Sequence, residues 1–363
     1  MKTYLIAGLK IGLTYVYKDF LDNNIEKYET ELKPDYVIES RLVKAIEPLE
    51  HPYMQDTYRR FYQDEQFLTI QVVNPEGLVK YQIKHTQNYD DTLVEMVESL
   101  AKKPSEMEYI FLSMIFLDIA ILNGFVPLHA SCIIKENEAY LFSAPSGTGK
   151  STHAGFYKET FKAFNLNDDK PIIKGNLVYG TPFSGKTSEN VNQSYPVKAI
   201  YFLEQSSLDS IERLTVDEAS KKLLRNIARP STQAMWEAVL PNINQLLFQI
   251  PFYQTRLTLN PNSVFMTYYE PNKETTMKIK SGFIIKTIGT RFMVLPVEAQ
   301  ALHFNGIMTL NKSGKLLFEA LEKEQSLESL TQLLMDRYDV SLEDAKKDVI
   351  LFIDKLKEKD LLC

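Results

Sequence analysis

The stretch that decides the fold is Glu138-Ala-Tyr-Leu-Phe-Ser-Ala144-Pro-Ser-Gly-Thr-Gly149-Lys150-Ser151-Thr152. Ala139 to Phe142 reads as a short buried strand, a turn of Pro, Ser and Gly follows, and Thr152 to Phe161 reads as a helix. A strand, a glycine loop, Lys-Ser and a helix in that order make a phosphate cradle. Backbone N–H groups of the loop and the positive end of the helix converge on one point. Ser146, Gly147, Thr148, Gly149, Lys150, Ser151 and Thr152 are therefore the expected nucleotide contacts. Lys150 reaches the outer phosphates, and the Ser151 hydroxyl suits Mg²⁺. Gly147 and Gly149 let backbone approach phosphate where a side chain would block it. The strict motif opens with Gly and this chain has Ala144, sterically the mildest exception. A Gly/Ser surface loop is the bland alternative.

On either side of this stretch lie further polar residues with chemistry. His129 begins a strand, Ser131 to Ile134, that turns at Lys135-Glu136-Asn137-Glu138 and pairs with the strand of the loop. Downstream, the strand end Ala163 to Asn167 is followed by Asp168-Asp169. Adjacent carboxylates just past a strand are where phosphoryl transfer needs a metal ligand and a base, although an Asp-Asp pair taken alone reads as a solvated turn. Gly180 to Asn190 is a second glycine loop. Arg225 and Arg229 fall four apart on a helix expected over Thr215 to Ala228, as a phosphate clamp or a solvated face. A helix over Ser231 to Gln249 should break at Pro241, and its Trp236 reads as a core anchor.

The composition narrows the class. A chain of 363 residues predicts two or three domains. A net charge of −6 argues against a nucleic-acid partner bound through phosphate neutralisation. Two cysteines, Cys132 and Cys363, are too few for a disulfide framework. The apolar window Tyr109 to Val126 carries Asp118 and Asn123 and reads as a buried helix, so no membrane span is expected. No secretory signal opens the chain, and a cytoplasmic protein is expected. Residues 1–105 read as a mixed β domain with strands at Tyr4 to Tyr17, Tyr36 to Glu39, Gln66 to Val73 and Val79 to Lys84. The turn Asn74-Pro75-Glu76-Gly77 makes the last two a hairpin. Asp91 to Lys102 reads as a helix; His51 and His85 as solvated or packed. A polar linker is expected over Glu270 to Lys280. Beyond it, Phe283 to Ile288, Phe292 to Pro296 and Gln300 to Phe304 read as strands, ahead of three helices capped in part by Ser326 and Ser341.

Two resemblances follow from these residues. Leu128-His129-Ala130, the loop Ala144 to Ser151 and Asn167-Asp168-Asp169 make residues 125–205 similar to HPr kinase/phosphorylase and to P-loop domains of the phosphoenolpyruvate carboxykinase type. The resemblance implies ATP or another nucleoside triphosphate with Mg²⁺, and leaves a homo-oligomer open. It implies catalytic roles for Asp168 as base, His129 beside it and Lys150 on the phosphates, with Ser151 and Asp169 on the metal. It does not extend to Leu177-Val178-Tyr179-Gly180, where the family has a Glu-x-Arg-Gly-like segment, so neither phosphorolysis nor HPr as substrate is implied. Residues from Gly306 to Leu356 resemble a PqqD-type module, which captures the leader of ribosomally made, modified peptides. The expected architecture is α/β and α+β multidomain: an N-terminal mixed β domain (1–105), a P-loop kinase domain (106–270) and a winged-helix-like PqqD module (281–363). The expected function is an ATP- and Mg²⁺-dependent serine kinase acting on a precursor peptide or protein. A kinase of a small hydroxyl compound such as free serine, and a non-catalytic nucleotide-gated peptide binder, are the alternatives.

Overall fold

In the N-terminal part the longest apolar runs alternate buried and less buried side chains, as at Phe67–Val73 and Val79–Thr86, and the chain there forms sheet. The structure, a computed structural model, describes residues 1–100, 103–145, 147–184, 189–258, 260–272, 276–297 and 308–363. The N-terminal strands are β1 (Lys2–Ile6), β2 (Leu9–Thr14), β3 (Glu29–Thr30), β4 (Tyr36–Val43), β5 (Met54–Gln55), β6 (Arg59–Gln63), β7 (Phe67–Val73), β8 (Val79–Thr86) and β9 (Asp91–Val97). They form one mixed sheet in the order β3-β1-β2-β4-β9-β8-β7-β6-β5. The β7–β8 hairpin turns at Asn74–Gly77, where Gly77 has φ +85°. The helix expected over Asp91 to Lys102 is instead β9 and a short 3₁₀ turn, Glu98–Leu100, with the last two residues outside the described ones. Thr92, Val94 and Met96 alternate inward, the period of a strand, and β9 pairs with β4 and β8. Glu95 faces outward and accepts from Arg41 and Gln82.

Helix α1 (Lys18–Ile25) and helix α2 (Pro104–Leu122) link this sheet to the rest. Helix α2 is apolar on nearly every face because it is covered on both sides. Phe111 meets Tyr81 of β8, ring centroids 5.1 Å apart, while Phe116 meets Phe183 at 5.2 Å. One apolar core thus runs from β1 to the residues around the glycine loop. Within it, buried Glu108 accepts hydrogen bonds from the Val16 and Tyr17 amides, both at 2.8 Å, and so caps the start of α1.

The central strands are β10 (Val126–Pro127), β11 (Ala130–Lys135), β12 (Glu138–Ser143), β13 (Phe164–Asn167), β14 (Ile172–Lys174), β15 (Leu177–Tyr179), β16 (Ser194–Gln205), β17 (Ser210–Arg213) and β18 (Phe252–Leu257). They run in the order β10-β14-β15-β16-β12-β11-β13, with β18 paired to β16 and β17 to β18. Strands β12, β16 and β18 are parallel. The glycine loop leaves the carboxyl end of β12, where α/β sheets place ligands, and enters α3 (Lys150–Phe161). Helices α4 (Val216–Asn226), α5 (Gln233–Gln249) and α6 (Ser263–Tyr269) complete this part. Two expectations are corrected. Helix α4 ends at Asn226, because Ile227 is extended and bridges to Leu128, so Arg229 shares no helix face with Arg225. Helix α5 runs unbroken through Pro241, since buried Met235, Val239, Ile243 and Leu246 hold its inner face. Trp236 is partly buried against the same core.

The C-terminal part has its own core, which includes Met277, Ile279, Val294, Phe318, Leu334, Val349 and Leu356. Its strands are β19 (Thr276–Met277), β20 (Phe283–Ile288), β21 (Arg291–Pro296), β22 (Met308–Leu310) and β23 (Gln325–Ser326), and its helices α7 (Lys312–Ala320), α8 (Leu327–Arg337) and α9 (Leu342–Glu358). The second half of the expected linker therefore belongs to this core through Met277 and Ile279. Strand β21 lies between β20 and β22, so it offers no edge; β20 does. The strand expected over Gln300 to Phe304 lies outside the described residues. Helix α9 docks on the central part at two helix ends. Asp354 Oδ2 accepts from Val216 N at the start of α4 (3.0 Å), and Lys346 Nζ donates to Gln249 O at the end of α5 (3.4 Å). Each charge opposes the partial charge of the helix end it meets.

Candidate functional site

The loop between β12 and α3 turns on two glycines in the left-handed region. Gly147 and Gly149 sit at φ +84° and +104°, and Gly149 is the residue before the first turn of α3. A Cβ on Gly147 would meet nothing within 4 Å, so the requirement there is the left-handed backbone rather than space. His153 N donates to Gly149 O (2.9 Å), the first helical bond. The preceding amides of α3 have no partner within the helix and point out of its start. Ser146 lies outside the described residues. Thr148 is half-buried and Thr152 exposed at the head of the helix. Lys150 folds back along the loop: its Nζ donates to Ala144 O (2.6 Å) and lies 3.0 Å from His129 Nε2. Burial pushes the Lys150 ammonium down, while the Asp169 and Asp168 carboxylates act the other way.

The acid pair is held by a residue that comes just before it. Asn167 is fully buried at the end of β13, and its Oδ1 accepts from the Asp169 and Lys170 amides at 2.9 and 2.7 Å. Its Nδ2 donates to Thr181 O at 2.9 Å. Thr181 in turn donates from Oγ1 to Lys170 O (2.9 Å). This is an Asx-type turn, closed from the far side by the start of the second glycine loop. Gly180 is required there: a Cβ would come 2.0 Å from Val191 O. Residues 185–188 of that loop lie outside the described ones.

The two carboxylates have different company. Asp169 Oδ1 lies 2.9 Å from His129 Nδ1, and its Oδ2 lies 3.4 Å from Lys170 Nζ. Burial pushes the Asp169 carboxyl up, but the His129 hydrogen bond and the Lys170 and His129 charges outweigh it and hold the group below its ordinary range. Asp168 accepts from Ser131 Oγ at 2.8 Å and has Ser151 Oγ at 3.4 Å. Sequence reasoning paired Asp168 with His129 and Asp169 with Ser151; the geometry pairs them the other way. The result is a chain of contacts, Lys150–His129–Asp169. Nδ1 of the ring faces Asp169 and Nε2 faces Lys150, so both nitrogens are engaged and the ring is held from two sides. His129 is fixed at its backbone as well: its N donates to Asn226 O (2.9 Å) and its O accepts from Ser143 Oγ (2.8 Å).

Beside His129 opens a cleft of about 490 Å³, with Leu117, Pro127 and Ile227 among its apolar walls and Lys170 and Arg225 at its polar side. Arg229 is exposed beyond α4. Among the described residues no cluster of three or more His, Cys, Asp or Glu is arranged for a metal. A hydroxyl and a carboxylate, Ser151 and Asp168, are the hard oxygen donors at the helix start, and they fit an ion that takes its remaining ligands from water and phosphate. Sequence reasoning missed Asn167, Thr181 and Ser131 as positioning groups. Asn two residues before an acid pair was the available signal for the first; the other two have no local signal.

Matches to known families divide the chain in the same way. The C-terminal part is a PqqD-like module: residues 292–362 match the family model of coenzyme PQQ synthesis protein D (PqqD). Residues 93–265, from within β9 through the glycine loop to α6, match the model described as SynChlorMet cassette protein ScmC. No curated protein matches the chain. Among solved structures, TbiB1 in complex with the TbiA(beta) leader peptide is 21% identical over 23% of this chain and 93% of that one, with a TM-score of 0.21. No described helix is long and apolar enough to cross a membrane, and both cysteines are free.

Proposed function

We propose that this protein is an ATP- and Mg²⁺-dependent phosphotransferase that modifies a hydroxyl of a precursor peptide. The observation that carries the reading is one cluster: the left-handed glycines at the head of α3, Lys150 against His129, and the acid pair split between His129 and Ser151. A nucleotide-binding loop with no chemistry to perform does not call for a His–Asp pair beside its lysine. In the transfer, the acceptor oxygen forms a bond to the γ-phosphorus while the bond to the β–γ bridging oxygen breaks, and ADP leaves with that electron pair. The acceptor proton passes to the Asp169–His129 pair. The loop amides and Lys150 neutralise phosphate charge, and Asp168 and Ser151 would hold Mg²⁺, which adds to that neutralisation. Such catalysis is mostly positioning and electrostatics.

Support for a peptide acceptor comes from the PqqD-like module, whose kind captures leader peptides, and from strand β20. That strand pairs with β21 and with no other described strand, and presents exposed Ile284 and Ile288. An open edge of this type can accept an extended peptide as a further strand. The test is incubation with ATP, Mg²⁺ and a precursor peptide, read by mass spectrometry, beside the Lys150→Ala protein. We expect one added phosphate with the parent protein and none with the variant. Transfer to free serine but to no peptide would support the small-molecule alternative. ATP binding without transfer to either would support a non-catalytic, nucleotide-gated binder.

A further inference from the structure

The cleft beside His129 is not explained by a nucleotide. The head of α3 faces a separate small hollow, where Gly149 and Thr152 meet Glu204 and Gln205 at the strand ends. No residue of α3 lines the His129 cleft, and of the described loop residues only Pro145 borders it, so the cleft adjoins the loop without containing the helix start. Its polar lining consists of His129 itself, Asn226 and two cations. Lys170 is already engaged, 3.4 Å from Asp169 Oδ2 and near the Tyr109 ring. Arg225 belongs to the last turn of α4 and has no ion-pair partner among the described residues. A cation in the last turn suits the helix dipole wherever it points. That role does not explain why the side chain borders the cleft that also holds His129.

We propose that this cleft is the acceptor subsite and that Arg225, with Lys170, selects acceptors carrying a carboxylate within one residue of the hydroxyl. The inference rests on the transferase reading and adds the chemistry of its substrate. The apolar walls, Leu117, Leu128 and Ile227 among them, keep water from one side, which strengthens a charge pair formed there. A guanidinium offers a planar fork that matches a carboxylate in two hydrogen bonds. The hydroxyl then falls beside His129 and the carboxylate beside Arg225. An acidic side chain next to the acceptor and a free C-terminal carboxylate share this chemistry.

The experiment uses the full chain with Mg²⁺ and a non-hydrolysable ATP analogue. Binding of dye-labelled acetylated pentapeptides is followed by fluorescence anisotropy. In one set the residue next to a central Ser is Asp, Asn or Lys; in the other, a Ser-terminated peptide ends in a carboxylate or an amide. We expect the carboxylate-bearing member of at least one set to bind on the order of 10-fold tighter than its neutral partner, as two partly exposed ion pairs supply. Which set shows the advantage tells the side chain from the terminus. Arg225→Gln should erase most of the difference, and Arg225→Glu should turn it toward Lys. If Arg225→Glu does not fold, Lys170→Gln combined with Arg225→Gln carries the test. Equal binding throughout, or a preference that survives the variants, overturns the inference. So does an equal loss of nucleotide-analogue affinity in Arg225→Gln, which would make Arg225 a phosphate clamp. Transfer is assayed separately on the same peptides. Charge preference without transfer defeats the transferase reading alone, and transfer without charge preference defeats the subsite alone.

Discussion

At His129, two ring contacts and two backbone bonds leave the imidazole one orientation, and the roles of the neighbouring carboxylates follow from it. Asp169 lies against His129, while Asp168 stands with the hydroxyls of Ser131 and Ser151, so the proposed transferase would use Asp169 as the proton acceptor. Asp169→Asn should therefore lower kcat about 10²–10⁴-fold with little change in ATP affinity. Asp168→Asn should shift the Mg²⁺ concentration for half-maximal activity upward. Kinetics over a range of Mg²⁺ checks both, and the reverse pattern would restore the assignment made from sequence. A second residue acts through stability. Asp118, on α2, accepts from Tyr89 Oη at 3.0 Å, and burial pushes its carboxyl up to about 6 despite that bond. Because the folded protein holds this proton more tightly than the unfolded chain, the contribution falls as pH rises from about 4 to about 6. Asp118→Asn keeps the acceptor oxygen and removes the charge. It should match the parent near pH 4 and exceed it by roughly 2–3 kcal/mol at pH 7. Urea unfolding at the two values decides it: an equal difference at both means that the charge is not the cause.

Among the elements, the turn after β13 has the most leverage. It consists of three residues whose amides and carbonyl are tied to Asn167 and Thr181, side chains with no water to replace them. Asn167→Ala removes an acceptor from two amides at once. The expected cost is about 1–3 kcal/mol in unfolding free energy, with a larger loss in kcat than in ATP affinity, because the loop and α3 do not depend on this turn. Asn167→Asp restores the acceptor oxygens but not the donor to Thr181, so it should recover part of the activity. If Asn167→Ala lowers nucleotide affinity and kcat equally, the turn supports the whole module and not the acid pair.

In the whole molecule, the PqqD-like module has a separate core and meets the central part through α9, at the start of α4 and the end of α5. The far end of α4 carries Asn226, which holds the His129 amide, so the module and the site share one helix. A tethered precursor would present its acceptor at raised local concentration. Removing residues 276–363, a cut that takes Met277 and Ile279 with the core they belong to, should cost a full-length precursor far more in kcat/KM than its isolated acceptor segment. Equal losses would mean that the module supports the fold of the central part instead of delivering a substrate.

The sequence by itself determined the strand, loop and helix around Lys150, the β11–β12 turn, the hairpin at Asn74–Gly77 and the helices of the C-terminal module. In each of these, local backbone demands and a 2.0 or 3.6 period act together within a few residues. Only the tertiary structure decided that Asp91–Val97 is a strand, because its charged residues face outward and sheet partners on both sides, distant in sequence, outweigh helix propensity. Only it decided that Pro241 stays within a helix held by its packed face. The exchange of partners in the acid pair is of the same kind. His129, Ser131 and Ser151 reach Asp168 and Asp169 from the start of β11 and from α3, and Asn226 of α4 holds the His129 amide. Hydrogen-bond geometry between separate elements has no period along the chain, and it exists only once β11, β13 and the two helices have packed.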